Sequence, residues 1–308
     1  MKLKQLALRS GRWEAAVAPD FGANLTKLAY DGFPILRSPE REEELLSKSR
    51  YVYGNPLLLP PNRTKDGSFC FEGRSYSLPV NEPERSNHLH GLFTDAPFRV
   101  VKHTASELIC AYRNRGERFP FCFTIAFYYT ISESGLLVKI DIRNDGAEPM
   151  PLAMGFHTTF TEPDRFSVPL GKRWERDKRY LPTGRLMELN GKEKQITQGC
   201  RPDGAPLTGY FTAAGHRVVI GDYQMETSGQ FDQWVLFNGG GGQGYLCVEP
   251  QIGAVNGLNL PDGCRRLESG RIEQCWLRFQ KIYEKAEIQI GFLVFLYKTY
   301  ILNISKIP

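Results

Sequence analysis

Apolar side chains recur at every second position over long stretches of this chain. Residues 121–131, FCFTIAFYYTI, place Phe121, Phe123, Ile125, Phe127, Tyr129 and Ile131 on one side and smaller or polar residues on the other. A period of two is the mark of a strand with one buried face. Similar β-rich runs are FRVVKHT, ELICAYR, GLLVKIDIRN, HRVVIGDY and QWVLFN, divided by clusters of Gly, Pro, Asn, Asp and Ser. Short intervals of this kind predict antiparallel strands. Two hairpins can be placed: one turning at Glu72-Gly73 between aromatic-alternating arms, the other at residues 132–135, where Gly135 tolerates a positive φ. Helical periodicity is confined to REEELLSKS, residues 41–49, which disfavours alternating βαβ units. The predicted class is all-β, a large antiparallel β-sandwich with sheets packed face to face.

No repeat and no break in composition occurs before residue 280, so residues 1–280 read as one domain and 281–308 as a C-terminal apolar extension of unknown role. The run Gly239 to Gly242 reads as a hairpin tip rather than a linker. CWLRF, residues 275–279, would make a natural last strand. Beyond it, IGFLVFLYKTYILNI (290–304) is apolar but short of the roughly 20 residues a spanning helix needs, so a terminal strand or partner-binding tail is favoured over a membrane anchor.

Charge changes this picture little. The chain has 308 residues, 39 basic and 34 acidic, for a formal charge of +5. Its densest basic stretch, GKRWERDKRY (171–180), interleaves Glu175 and Asp177, and reads as a solvated loop, not a nucleic-acid stripe. Seven cysteines stand singly, without a CxxC pair, as reduced thiols of a cytoplasmic protein would. The first 13 residues offer only LAL as an apolar run before Arg9, so export is not expected.

Phosphate loops and nucleophile elbows are absent, which leaves His, Glu and Arg to carry chemistry. His157, in MGFHTTF, is either a structural strand histidine or a catalytic one with a partner carboxylate. Glu249, in YLCVEPQIG, precedes Pro250, which is expected to end the ladder; it is either an edge acceptor or a base at a cleft mouth. Arg63, after GNPLLLPPN, is either a surface residue or a fixed fork for hydroxyl or carboxylate oxygens. In SNHLHGLF, His88 and His90 would share a face of a regular strand. That raises a metal site, but no carboxylate follows at ligand spacing and no metal is assigned.

Taken in order, residues 54–93, MGFHTTF and YLCVEPQIGAVNGLNL resemble the aldose 1-epimerase (galactose mutarotase) family, and FGANLTKLAYDGFPIL is similar to its opening strands. The resemblance covers about residue 15 to about residue 280. It implies a galactose mutarotase-like β-sandwich, a small-molecule sugar substrate, no cofactor, and exchange between the α and β anomers of a free aldose such as glucose or galactose. Matched residue by residue, Glu249 falls on the general base and His157 on the general acid, while His90 and Arg63 fall on substrate-binding positions. His88 receives no role.

Three departures stand out. The family's sugar-binding aspartate has no match between Pro202 and Trp234, Leu92 replaces a second glycine after LHG, and the C-terminal extension has no counterpart. Two alternatives therefore stay open. One is a hexose-phosphate mutarotase with Arg63 or the loop from Arg173 to Arg179 on the phosphate; the other is a non-catalytic sugar-binding protein of the same fold. Oligomeric state is not predicted.

Overall fold

In the computed structural model, residues 4–47 and 49–283 are described. The expected all-β class is found. One eight-stranded sheet, the back sheet, runs in spatial order Arg99–His103, Glu107–Arg115, Cys122–Ser132, Gly135–Asn144, Ile272–Lys281, Tyr223–Thr227, Arg217–Ile220 and Phe166–Ser167. A second, the front sheet, runs Pro182–Met187, Leu170–Arg176, Thr208–Ala213, Gln233–Phe237, Tyr245–Ile252, Met154–Phe156 and Leu57–Leu58, with Thr159–Thr161 also paired to Tyr245–Ile252. A four-stranded meander from Leu6–Ser10 to Phe33–Pro34 completes the larger sheets.

The alternation read from the sequence is what builds the core. Along Cys122–Ser132 the buried positions are Phe123, Ile125, Phe127, Tyr129 and Ile131, and the side chains between them are at least partly exposed. Phe127 meets Phe156 of the front sheet at a ring separation of 6.0 Å, and Phe279 meets Phe160 at 6.5 Å. Burying each such ring is worth about 1.5–3 kcal/mol, so this face-to-face contact is the main hold between the sheets.

Both hairpins form, Ser68–Phe71 with Arg74–Ser77 and Cys122–Ser132 with Gly135–Asn144. Glu72 and Gly73 both have positive φ, as a tight two-residue connection requires. The Gly239 to Gly242 run links Gln233–Phe237 to Tyr245–Ile252.

Four expectations need correction. A second α-helix, Gly191–Gln198, accompanies the expected short one at Glu42–Leu46. It has little apolar periodicity, with only Glu193 and Ile196 buried, but Asn190 and Glu193 cap each other's backbone amides in a capping box. The basic stretch 171–180 is not simply a solvated loop: most of it is the strand Leu170–Arg176, which pairs on both sides. Pro250 does not end its ladder, since Tyr245–Ile252 continues past it and is buried throughout. Finally, His88 and His90 do not share a strand face, because the strand stops at Leu89 and His90 takes a left-handed φ of 65°.

The last described strand, Ile272–Lys281, includes CWLRF and pairs with Gly135–Asn144 and Tyr223–Thr227. The apolar extension lies outside the described residues from 284 onward. All seven cysteines are unpaired, and no described helix is long and apolar enough to cross a membrane.

Candidate active site

Strand register sets the floor of a cleft on the front sheet. Tyr210 is directly opposite Val235, and Val235 is opposite Glu249. Gly155 faces Gln251 and Thr159 faces Cys247, so the same register brings His157 opposite Glu249 across the gap between two short strands. Directly opposed residues point to one side of a sheet, which gives a row Tyr210, Val235, Glu249, His157. Their neighbours in sequence, Phe211, Trp234, Leu236, Val248 and Phe156, point the other way into the core. Pro250 fits in this central strand because it falls beside that gap, where no ladder amide is needed.

The cleft has a volume of about 650 Å³ and brings together all four predicted residues, Arg63, His90, His157 and Glu249. Glu249 Oε1 lies 3.4 Å from His157 Nε2, with both side chains buried. Burial pushes the Glu249 carboxyl up to about 8, against the opposing pull of a Gln251 amide at 3.4 Å and the positive charge of Arg63. Burial likewise pushes the His157 imidazole down to about 4. Between those values the pair holds one exchangeable proton and no net charge. His90 packs edge-on against His157 at 5.2 Å, and burial, reinforced by the positive charge of Arg63, lowers its imidazole well below the ordinary histidine range. Its Nδ1 is buried without a hydrogen-bond partner.

The LHG motif has a steric basis. His90 donates its backbone N–H to Asn62 O at 2.8 Å from a left-handed conformation, and Gly91 continues it with φ of 69°. A Cβ on Gly91 would sit 2.1 Å from Leu59 O, so no other residue fits. Leu92 needs no such freedom, and its carbonyl accepts a hydrogen bond from Arg118 Nη1. His88 is fully buried and holds Pro79 O at 2.7 Å through Nδ1, a structural position on the other side of its strand.

Arg63 is no surface arginine. Its Nε reaches both oxygens of Glu82 (3.2 and 2.8 Å) and its Nη2 reaches Glu82 Oε1 at 2.7 Å. Nη1 donates to Asn62 Oδ1 at 3.2 Å and to the Tyr210 hydroxyl at 2.9 Å. Glu82 is buried and also takes a hydrogen bond from the Asn87 amide at 2.9 Å. Although burial alone would raise its carboxyl, the hydrogen bonds from Arg63 and Asn87 hold it below the usual range.

Sequence reasoning missed Glu82, Tyr51, Tyr180 and Tyr210. Tyr51 packs against His90 at a ring separation of 4.5 Å with the planes tilted by 44°, and closes one side of the cleft. Tyr180 sits on a turn where Asp177 Oδ1 accepts from the amides of Arg179 (2.8 Å) and Leu181 (2.9 Å). Arg179 ties that turn to Arg85 O at 2.8 Å and Ser86 O at 2.7 Å. A DxxY turn after a strand and an acid a few residues ahead of NHLHG were visible in the sequence, but nothing local assigned them to one cleft. Among the described residues, no group of three or more His, Cys, Asp or Glu converges as ion ligands.

Chemically, a neutral carboxyl–imidazole pair at the floor of this cleft can exchange protons with two oxygens of a bound molecule. Comparison with known proteins narrows this further. The uncharacterized Escherichia coli protein YihR is 26% identical over 282 residues, which is 86% of this chain and 89% of that protein. A galactose mutarotase-like protein from Clostridium acetobutylicum superposes with a TM-score of 0.82 at 24% identity, covering 90% of this chain and 95% of that one. A GalM/aldose epimerase homologue from C. elegans gives a TM-score of 0.75 at 17% identity, over 91% of this chain and 99% of that one. At these identities the structural matches speak to the fold alone. The sequence model described as aldose 1-epimerase matches residues 4–260, and the chain belongs to that family.

Proposed function

We propose that the protein interconverts the α and β anomers of an aldose by acid–base ring opening. The observation that carries this reading is the 3.4 Å approach of His157 Nε2 to Glu249 Oε1 at the floor of the cleft. Opening a cyclic hemiacetal requires a proton to leave the C1 hydroxyl while another reaches the ring oxygen. In the proposed cycle Glu249 takes the first and His157 gives the second. The C1–O5 bond breaks, C1 becomes an aldehyde, and rotation about C1–C2 precedes closure by the reverse transfers.

Burial favours this direction of transfer. Opening leaves Glu249 protonated and His157 neutral, the state that the dry surroundings stabilise in both residues. The step starts from the other arrangement of the same proton, Glu249 carboxylate beside His157 imidazolium, reached by transfer across the 3.4 Å contact. Arg63, held rigid by Glu82, and His90, held by its backbone, orient the sugar through its hydroxyls. Adding the protein to freshly dissolved α-glucose or α-galactose and following optical rotation tests the proposal. Acceleration over buffer supports it, and no acceleration with any of a panel of aldoses overturns it.

A further inference from the structure

Three guanidinium groups surround one ring at the edge of the cleft. The Tyr180 ring lies 4.7 Å from the Arg85 guanidinium carbon, 5.1 Å from that of Arg63 and 5.2 Å from that of Arg176. Arg176 also lies 5.0 Å from the Tyr210 ring and donates to Thr208 Oγ1 at 3.1 Å. These arginines come from three separate segments, and Arg63, Arg85, Tyr180, Thr208 and Tyr210 all line the cleft.

Their charges are not balanced locally. Arg63 and Arg85 both bond Oε1 of the single buried carboxylate Glu82. Arg85 also reaches Glu84, whose side chain is 63% exposed and therefore screened. Among the described residues Arg176 makes no ion pair, only the Thr208 contacts and the two aromatic faces. At the floor, Glu249 supplies no compensating charge while it holds its proton. Crowded like charges on a partly dry wall repel one another, and a ligand anion would relieve that repulsion.

Register gives the position of this positive wall. Tyr210 stands two strands from Glu249 in the same row, roughly 10 Å at the usual strand spacing. With C1 at Glu249, the far side of a pyranose ring and a group attached there would extend toward Tyr210, Tyr180 and Arg176.

We infer that the preferred substrate is an aldose bearing an anionic oxygen group, phosphate or carboxylate, on the side of the ring remote from C1, recognised by Arg176 and Arg85 beside Tyr180. This inference rests on the mutarotase reading for its placement of C1. Guanidinium hydrogen bonds to an oxyanion are among the stronger polar contacts, and two N–H groups can engage it at once.

The test uses the full chain and NMR measurement of anomer exchange for glucose, glucose 6-phosphate and glucuronic acid at low salt. The kcat/KM for one of the two anionic sugars should exceed that for glucose by about tenfold or more. That ratio should fall about tenfold in Arg176→Gln, recover in part in Arg176→Lys, and shrink as salt is added. Whether the phosphate or the carboxylate gives the larger ratio identifies the group. A ratio near one, or a ratio that Arg176→Gln and Arg85→Gln both leave untouched in folded protein, overturns the inference. Calorimetry separates its failure from that of the mutarotase reading. Binding of the anionic sugar over glucose without turnover keeps the inference and ends the catalytic reading, whereas turnover without anionic preference does the reverse. Inorganic phosphate binding as tightly as glucose 6-phosphate would also overturn it.

Discussion

Replacing Glu82 by Gln tests how Arg63 is held. The substitution keeps the shape of the side chain but removes the charge that faces Nε at 2.8 Å and Nη2 at 2.7 Å. Arg63 is only 16% exposed and Glu82 5%, so water cannot replace the lost partner. Removing one member of a buried pair typically costs about 3–5 kcal/mol. The glutamine carbonyl still accepts one hydrogen bond, which places the expected loss at the low end, about 3 kcal/mol. Urea unfolding at neutral pH should therefore show a midpoint lower by roughly 1 M. The pH dependence gives a second check. The Glu82 carboxyl is depressed in the folded protein, so its contribution is present above the ordinary carboxylate value of about 4.3 and is lost as pH falls through the lower folded value. The gap between wild type and Glu82→Gln should close in acid. A midpoint shift under about 0.2 M, or a gap that does not narrow as pH falls below about 4.3, would refute the reasoning.

Three further outcomes follow from the same geometry. The pH profile of kcat/KM should be bell-shaped, with an acid limb near about 4 as His157 gains a second proton for the pair and a basic limb near about 8 as Glu249 loses the shared one; a flat profile between pH 3 and 9 would contradict the assignment. His90→Ala should cut turnover at least about tenfold more than His88→Ala, because only His90 faces the cleft, and the reverse ranking would overturn the division of the two histidines. Glu249→Gln should be at least as stable as wild type above pH 8 in thermal unfolding, since a carboxyl whose folded value is raised loses stability as pH rises from about 4.3 to about 8 and an amide does not; a large fall in its melting temperature would argue against a strained buried acid.

The strand content, the hairpin at Glu72-Gly73 and the alternating core of residues 121–131 were legible because each depends on local period and turn chemistry. His157 and Glu249 stood out singly in the sequence, but their pairing was legible only through the family resemblance, since neither segment carries the register that sets one opposite the other. Pro250 misled for a related reason. Its missing N–H is tolerated because a neighbouring strand breaks beside it, a fact of pairing and not of local sequence. The helix Gly191–Gln198 was hidden by its weak apolar pattern, although the sequence NGKE carries its capping box. Arg63, Arg85 and Arg176 were illegible as a group around Tyr180 because three separate segments meet there. Glu82 looked like one of several charges in a turn until its burial beside Arg63 became visible.

The most direct measurement is single-turnover or steady-state mutarotation of an α-aldose, wild type beside Glu249→Gln and His157→Asn, with folding checked by circular dichroism. General acid or base groups contribute about 10²–10⁴-fold each. The account predicts clear acceleration by wild type and loss of at least about 100-fold in both variants. Acceleration that survives either substitution within about threefold would contradict it, because the proton route would then run through neither Glu249 nor His157.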